Sequence, residues 1–163
     1  MISEIHLNIG SNSGDSRAFI ARAVAALRSV FAPSELAVSS LCESAPWGFE
    51  SSRNFVNAAV LISLERTLPW TADSLEELLR RVKEIEKSIS TMPHRAADGS
   101  YADRELDIDI IAVDALEYSS SSLVIPHPHM SARAFVLAPM AELAPAWRHP
   151  RTGLTCCQML SAL

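Results

Sequence analysis

Residues 55–64 read Phe-Val-Asn-Ala-Ala-Val-Leu-Ile-Ser-Leu, and this stretch decides the fold. Every second residue from Val56 to Leu64 is apolar, which is the period of a strand with one face in a core. The other face begins with Phe55 and Asn57. We therefore predict a long strand that buries one face and presents an aromatic ring and a carboxamide on the other.

Two strands and a helix are predicted before this stretch. Ile5 to Gly10 alternates apolar and polar residues, as a half-buried strand does. Apolar residues at helical spacing begin at Phe19, and Pro33 ends that helix. Residues 36–43 predict the second strand, which a loop of sequence Ser-Ala-Pro-Trp-Gly closes at 44–48.

A helix and a strand are predicted after it. Apolar residues between 75 and 89 form one stripe of a helix, and a polar loop without periodicity fills 90–105. The last strand of the core covers 106–113. The candidate capping boxes of the helix are Asp73 with Glu76 and Ser74 with Glu77.

The order strand, helix, strand, strand, helix, strand predicts an α+β protein with a ferredoxin-like βαββαβ core. Such a core is an antiparallel sheet with helices packed on one face. A C-terminal extension follows, with helices predicted at 135–143 and 155–163. Because neither an internal repeat nor a linker is visible, we expect a single domain over residues 1–163.

Composition narrows the possible partners. The chain has 14 Lys and Arg against 19 Asp and Glu, a formal net charge of −5. Nucleic-acid backbones are bound by clustered positive charge, so we expect no nucleic-acid partner. The three cysteines do not make a disulfide framework. With no signal peptide and no apolar run of membrane-spanning length, we expect a cytoplasmic protein without a membrane partner.

Asp107 and Asp109 stand two apart in the last strand, so both carboxylates leave the same face about 7 Å apart. Carboxylates this close repel each other unless a cation lies between them, and Mg²⁺ with substrate phosphates is a common solution. A salt-bridged pair of surface aspartates is the alternative. Arg104 fits both interpretations, as a salt-bridge partner or as a phosphate ligand.

Phe55 and Asn57 also share one strand face. An aromatic ring beside a carboxamide suits a flat heterocycle that is stacked and then bound along one edge. A core phenylalanine and an asparagine bonded to a loop backbone is the alternative. The sequence lacks GxxxxGK[ST], GxGxxG after a strand, HExxH and GxSxG, so bound ATP would need a different scheme.

Taken together, these segments resemble one family, the 6-hydroxymethyl-7,8-dihydropterin pyrophosphokinases of folate biosynthesis. The resemblance covers nearly the whole chain and is most specific where Arg-x-x-Asp-x-Asp combines with Asn-Ala-Ala and Pro-His. The stretches that carry it are 7–12 (LNIGSN), 39–48 (SSLCESAPWG), 55–59 (FVNAA), 104–110 (RELDIDI) and 125–137 (IPHPHMSARAFVL).

The resemblance implies transfer of pyrophosphate from MgATP to the hydroxymethyl group of the pterin, with release of AMP. It implies that Asp107 and Asp109 ligate two Mg²⁺ ions that bridge the ATP phosphates. It also implies a pterin held between Phe55 and Phe135, with Asn57 bound to its amino-pyrimidine edge. Backbone groups around 44–47 complete that edge, at Ser44, Ala45 and Trp47.

On the nucleotide side, the resemblance places five residues against ATP, namely Lys83, Glu86, Ile110, His127 and Arg133. Arg104 matches an arginine that contacts the phosphates. ATP and 6-hydroxymethyl-7,8-dihydropterin are therefore the expected ligands, and Mg²⁺ the expected cofactor. A monomer or a weak dimer is expected.

The loop before the aspartates departs from the family pattern. Ser90-Thr91-Met92-Pro93 stands where the family has Gly-Arg-x-Arg, and Tyr101 stands where it has a tryptophan. Arg95 is close enough to supply the missing catalytic charge, as is His94. The departure leaves a rival, a homologue that binds pterin or nucleotide without catalysis. A second rival is a different two-metal nucleotide enzyme on the same fold, and a remote third is an RNA-binding module.

Overall fold

The computed structural model describes residues 1–91, 97–98 and 102–163. Its main sheet is antiparallel, and its strands lie in the order β2 and β3, β4, β1, β5. This is the strand order of a ferredoxin-like core, and it confirms the predicted fold class. The strands are β1 (Ile2–Ser11), β2 (Glu35–Val38), β3 (Cys42–Ser44), β4 (Phe55–Glu65) and β5 (Asp107–Val113).

Two helices cover one face of the sheet, α1 (Ser16–Phe31) and α2 (Ala72–Ile89). Asp15 caps α1 by accepting a hydrogen bond from the Ala18 N–H, and Thr71 with Ser74 forms the capping box of α2. Neither capping box expected from the sequence forms, because α2 begins earlier than its apolar stripe indicates. Glu76 is therefore available for contacts away from the helix end.

The main core lies between this face and the two helices. Ile5, Leu7 and Ile9 of β1 are at most 1% exposed there, as periodicity predicts. The opposite face is covered by the C-terminal extension, helices α3 (Ala134–Leu143) and α4 (Cys156–Ser161). The residues of this second core are Ile111, Ala112, Met130, Val136, Leu137, Met140, Cys156 and Met159.

The second predicted strand, 36–43, is not continuous. Val38 of β2 pairs with Val60, whereas Cys42 of β3 pairs with Asn57, so four steps on one strand match three on the other. Ser39 occupies the irregularity: its N–H donates to the Ala59 carbonyl and its hydroxyl accepts from the Ala59 N–H. This one-residue bulge turns the following side chains to the other face of the sheet.

A small hairpin and a 3₁₀ turn connect β5 to α3. The hairpin strands are β6 (Tyr118–Ser119) and β7 (Val124–Ile125), and the 3₁₀ turn is Met130–Ala132. The Ile125–Pro126 peptide bond is cis. Within residues 1–91, 97–98 and 102–163, no helix has both the length and the apolar character needed to cross a membrane.

Candidate active site

Strand pairing sets two rows of residues across the sheet face opposite the main core. In the first row, Gly10 of β1 lies between Asn57 of β4 and Asp107 of β5. In the next, Asn8 pairs with Asp109. Because adjacent strands lie about 4.8 Å apart, the carboxamide of Asn57 and the carboxylate of Asp107 originate about 10 Å from each other.

Gly10 makes this row possible. A Cβ at that position would lie 3.0 Å from Asn57 Oδ1 and 3.5 Å from Phe55 Cδ1. A side chain on the central strand would therefore press on the two groups that the sequence associates with a flat heterocycle. A glycine in the middle of a strand weakens the strand. Gly10 is explained here by the space that it leaves for Asn57 and Phe55.

A cavity of about 360 Å³ opens over these rows. It combines aromatic side chains with cationic and anionic ones. It contains the predicted substrate, metal and phosphate residues Ser44, Ala45, Trp47, Phe55, Asn57, Lys83, Arg104, Asp107, Asp109, His127, Arg133 and Phe135. It is also lined by Asn8, Gly10, Phe49, Pro128 and His129.

One end of the cavity is aromatic. Phe55 meets the edge of Phe49, with ring centroids 6.1 Å apart and planes at 87°. Asn57 Nδ2 donates to Ser44 Oγ at 2.8 Å, a contact that the bulge makes possible by turning Ser44 to this face. Phe135 enters the cavity from α3, and its carbonyl accepts from Asn8 Nδ2 at 3.1 Å.

The other end of the cavity holds the carboxylates. Arg104 Nη1 donates to Asp107 Oδ2 at 2.9 Å, and both side chains are largely buried. Burial and the neighbouring Asp107 charge raise the pKa of Asp109 well above its usual range, although Lys83 and Arg133 oppose the shift. Ionised Asp109 is therefore unfavourable where it lies, chiefly because it is buried, and a bound cation would stabilise its charged form.

The donor set fits Mg²⁺, which prefers carboxylate, water and phosphate oxygens. In the part of the chain that the structure describes, no group of three or more His, Cys, Asp or Glu side chains could hold a metal ion. Ligands beyond the two aspartates would therefore come from water and from substrate. This is the usual arrangement for magnesium in phosphate-transferring enzymes.

Glu86 lies beneath the cavity instead of lining it, only 2% exposed. Its Oε2 accepts from the Ile108 N–H at 2.7 Å and from Lys83 Nζ at 3.2 Å. Lys83 Nζ also donates to the Ile108 carbonyl at 3.2 Å. Burial lowers the pKa of Lys83, but the charges of Glu86, Asp107 and Asp109 outweigh it and the net shift is upward. The ammonium group is therefore charged and held against β5.

Ile110 lines a second cavity of about 320 Å³ that shares Lys83, Asp109 and His127 with the first. The Ile108 N–H and carbonyl point away from β1, since Glu86 and Lys83 bind them. Backbone groups alternate along a strand, so those of Ile110 point the same way, into this cavity. They present one donor and one acceptor side by side.

His127 lines both cavities, and Arg133 and Trp47 line the first. His127 Nδ1 accepts from the His129 N–H at 3.1 Å. Burial lowers the pKa of His127 to about 4, with smaller contributions from Arg133, His129 and Lys83, so the ring is neutral at neutral pH. Arg133 lies 4.2 Å from the Trp47 ring centroid, and its Nε is buried and has no hydrogen-bond partner among the described residues. An acceptor on a bound ligand or an ordered water would satisfy such a donor.

A family model described as 7,8-dihydro-6-hydroxymethylpterin-pyrophosphokinase matches residues 6–145. The chain belongs to this family. A 2-amino-4-hydroxy-6-hydroxymethyldihydropteridine pyrophosphokinase of Porphyromonas gingivalis is 33% identical over 147 residues, covering 90% of this chain and 93% of the relative. One of the same name from Aquifex aeolicus is 32% identical over 149 residues, covering 91% and 85%.

Solved structures agree on the fold of this pyrophosphokinase family member. A crystal structure of an HPPK-DHPS in complex with substrates superposes with a TM-score of 0.68 at 13% identity. The match covers 99% of this chain and 43% of that one, so the chain spans less than half the length of the solved protein. At this identity the likeness concerns the fold alone.

The structure thus brings most of the predicted residues of this pyrophosphokinase family member into one cavity, and two described ones, Glu86 and Ile110, lie outside it. Glu86 is below the cavity, where it accepts from the Ile108 N–H of β5, and Ile110 belongs to β5 and lines the adjoining cavity. Arg95 lies outside the described residues, as does His94. The roles of all these residues remain predictions.

Sequence reasoning assigned no role to five lining residues, and two of these, Pro128 and His129, lie in the Pro-His stretch that carries the resemblance. Asn8 and Gly10 had a visible signal, since a polar residue and a glycine interrupt the apolar run of β1 on its second face. Phe49 had none, because it lies in a loop whose path depends on the rest of the fold.

Proposed function

We propose that this protein transfers pyrophosphate from ATP to the hydroxymethyl group of 6-hydroxymethyl-7,8-dihydropterin, giving the pterin diphosphate and AMP. One observation carries the proposal. A single cavity joins an aromatic end that includes a carboxamide to a carboxylate pair surrounded by cations. The family match over residues 6–145 confirms the expected enzyme class, an ATP-dependent diphosphokinase of folate biosynthesis.

The aromatic end is the proposed pterin site. Phe55 and Phe135 enter from β4 and α3, and we expect a flat bicyclic ring to stack between them. Asn57 is held by Ser44 and offers its carboxamide to the amino-pyrimidine edge, while backbone groups near Ala45 and Trp47 complete the contacts. A pterin bound in this orientation would have its hydroxymethyl group directed toward Asp107 and Asp109.

The cationic end and the adjoining cavity are the proposed ATP site. The backbone N–H and carbonyl of Ile110 suit the edge of a base, because backbone groups at the free edge of a strand can bind a ligand. Lys83 and neutral His127 line both cavities and Arg133 lines the first, so we expect the triphosphate to pass along these side chains to the aspartates. Glu86 would act indirectly, by holding Lys83 and β5 in place.

We expect Asp107 and Asp109 to hold Mg²⁺, with two ions present when ATP is bound. Bound magnesium supplies neutralisation of phosphate charge and a fixed geometry for the triphosphate. Arg104 is already oriented by Asp107 and by its backbone N–H, which donates to Asn12 Oδ1 at 2.8 Å. It is placed to stabilise charge on the transferred group.

In the transfer, the pterin hydroxyl oxygen bonds to the β-phosphorus of ATP. The bond from that phosphorus to the oxygen shared with the α-phosphate breaks, AMP leaves, and the hydroxyl proton passes to solvent. Such reactions need little covalent chemistry from the protein and depend on positioning and charge. The residues described here supply both, and Arg95 is proposed to add charge from the loop that follows α2.

The test is to incubate the protein with MgATP and the pterin alcohol and to analyse the products. AMP and the pterin diphosphate in equal amounts support the proposal. Pterin binding without AMP at high protein concentration would favour the non-catalytic rival, and inorganic pyrophosphate as the product would favour the other two-metal enzyme. The cytoplasmic location, the single domain, the monomer or weak dimer, and the absence of nucleic-acid and membrane partners remain predictions.

A further inference from the structure

The carboxylate of Glu76, on α2, accepts hydrogen bonds from three hydroxyl groups. Its Oε1 accepts from Tyr118 Oη at 2.9 Å and from Ser120 Oγ at 2.6 Å. Its Oε2 accepts from Ser122 Oγ at 2.6 Å. These bonds, that of Ser120 first, lower the pKa of Glu76, so the group is anionic at neutral pH.

The three hydroxyl groups belong to the hairpin of β6 and β7 and to its turn, residues 120–123, called here the serine turn. Ser120 closes this turn, since its N–H donates to the Leu123 carbonyl at 2.8 Å. Its hydroxyl also accepts from the Leu123 N–H at 3.1 Å and from the Ser122 N–H at 3.2 Å. Leu123 anchors one end of the turn in the main core, and Glu76 holds the remainder against α2.

The serine turn is one wall of the cavity that contains Ile110. The facing wall is α2, where Leu79 and Lys83 follow Glu76 at spacings of three and seven residues and so share one side of the helix. Glu76, which holds the serine turn, thus lies on the same side of α2 as Leu79 and Lys83, which form the wall opposite the turn. The width of the cavity therefore depends on the contacts of Glu76.

We infer that Glu76 is a positioning residue that determines the affinity for the nucleoside end of ATP. The inference rests on the proposed function, which assigns this cavity to the base and the ribose. Glu76 does not line the cavity and would act on a bound nucleoside only through the serine turn. The cavity suits a nucleoside because apolar side chains, serine hydroxyl groups and the edge of β5 line it, with Lys83 as the one Lys or Arg among its described lining residues, whereas the first cavity has Lys83, Arg104 and Arg133.

The inference predicts an effect on nucleoside binding that is separable from phosphate binding. Glu76→Ala should weaken AMP binding and raise the KM for ATP about 10-fold, because the cavity is no longer preorganised. The affinity for inorganic tripolyphosphate with Mg²⁺, the KM for the pterin and kcat should each stay within about twofold. Calorimetry with AMP and with tripolyphosphate separates the two ends of the ligand.

Glu77→Ala is the matched control. Glu77 is the next residue of α2, pairs with Arg80 on the exposed side and should leave AMP binding unchanged. Ser120→Ala is a second test that keeps Glu76, and it should weaken AMP binding about threefold because it removes one of the three donors. If Glu76→Ala does not fold, this variant decides the matter.

Unchanged AMP affinity in a folded variant would overturn the inference. Equal losses of AMP and tripolyphosphate affinity would also overturn it, since they would indicate a general structural role. The proposed function is tested apart from this, by product formation in the unmodified protein. Protein that binds AMP but forms no product would refute the proposed function while leaving the inference to be decided by the calorimetry.

Discussion

The two faces of the sheet place different requirements on their residues, and β1 shows both kinds within one strand. Ile5, Leu7 and Ile9 point into a dry core, and any apolar residues of suitable size would serve there. On the other face, Asn8 and Gly10 each meet a specific partner on another element. The first face is determined by hydrophobicity and the second by particular atoms at particular distances.

Substitutions at Asp107 and Asp109 should show the largest difference in effect between the site face and the core face. We expect Asp107→Ala and Asp109→Ala to lower kcat about 10³-fold, since each removes a proposed metal ligand, and to leave the circular dichroism spectrum unchanged. Ile9→Val on the core face is the control, with a stability loss of about 1 kcal/mol and kcat within about twofold. Near-normal turnover in both aspartate variants would contradict the metal assignment.

Leu7 and Asn8 compare the faces at adjacent positions. Leu7→Ala should lower the free energy of unfolding by about 3 kcal/mol, because Leu7 is buried in the main core. Asn8→Ala should lower it by about 1 kcal/mol through the lost bond to Phe135, and should also raise the KM for the pterin. Urea titrations and steady-state kinetics measure both effects. An unchanged pterin KM would remove Asn8 from the site.

His6 extends the comparison, since it lies on the same face as Asn8 but is buried near Trp147, with ring centroids 5.9 Å apart. Burial lowers its pKa to about 4 against a small opposing effect of Asp114, so the unfolded chain binds the proton more tightly. Between pH 7.5 and 5 this should cost about 2 kcal/mol of stability, lost as the pH falls. In the His6→Leu variant, the free energy of unfolding from urea titrations should depend less on pH. An equally steep pH dependence in this variant would contradict the prediction.

Gly10 should give the smallest effect of the series. Gly10→Ala places a methyl group 3.0 Å from Asn57 Oδ1, so the carboxamide must shift by a few tenths of an ångström. We expect the KM for the pterin to rise about fivefold, equivalent to about 1 kcal/mol, with the KM for ATP unchanged. Equal changes in both constants would mean that the strand, and not the aromatic end of the cavity, is disturbed.

The sequence predicted the core face better than the site face. Alternation in 55–64 and 106–113 identified β4 and β5, and the aspartate spacing placed both carboxylates on one face, because these patterns are local. The bulge at Ser39 was missed, since 36–43 reads as one strand and only pairing with β4 reveals the extra residue. The contacts of Glu76 were missed for the same reason, being with residues more than 40 positions away.

The resemblance to a family supplied what the local patterns could not. Phe135, Lys83 and Arg133 carry no signal of their own, and they enter the cavity because α2 and the C-terminal extension pack on opposite faces of one sheet. Glu86 shows the limit of such transfer. The resemblance places it against ATP, whereas the structure shows it buried and bonded to Lys83, so its role toward ATP remains a prediction.

The bulge at Ser39 has a consequence for how this family can change its length. Insertions and deletions are usually harmless between strands, and residues 39–41 would be taken for such a place. Removing one residue there would restore the simple register of β2 and rotate Ser44 away from Asn57, which would remove one side of the aromatic end without any substitution. Among descendants of this chain, a gap at that point should therefore be rarer than substitutions on either side of it.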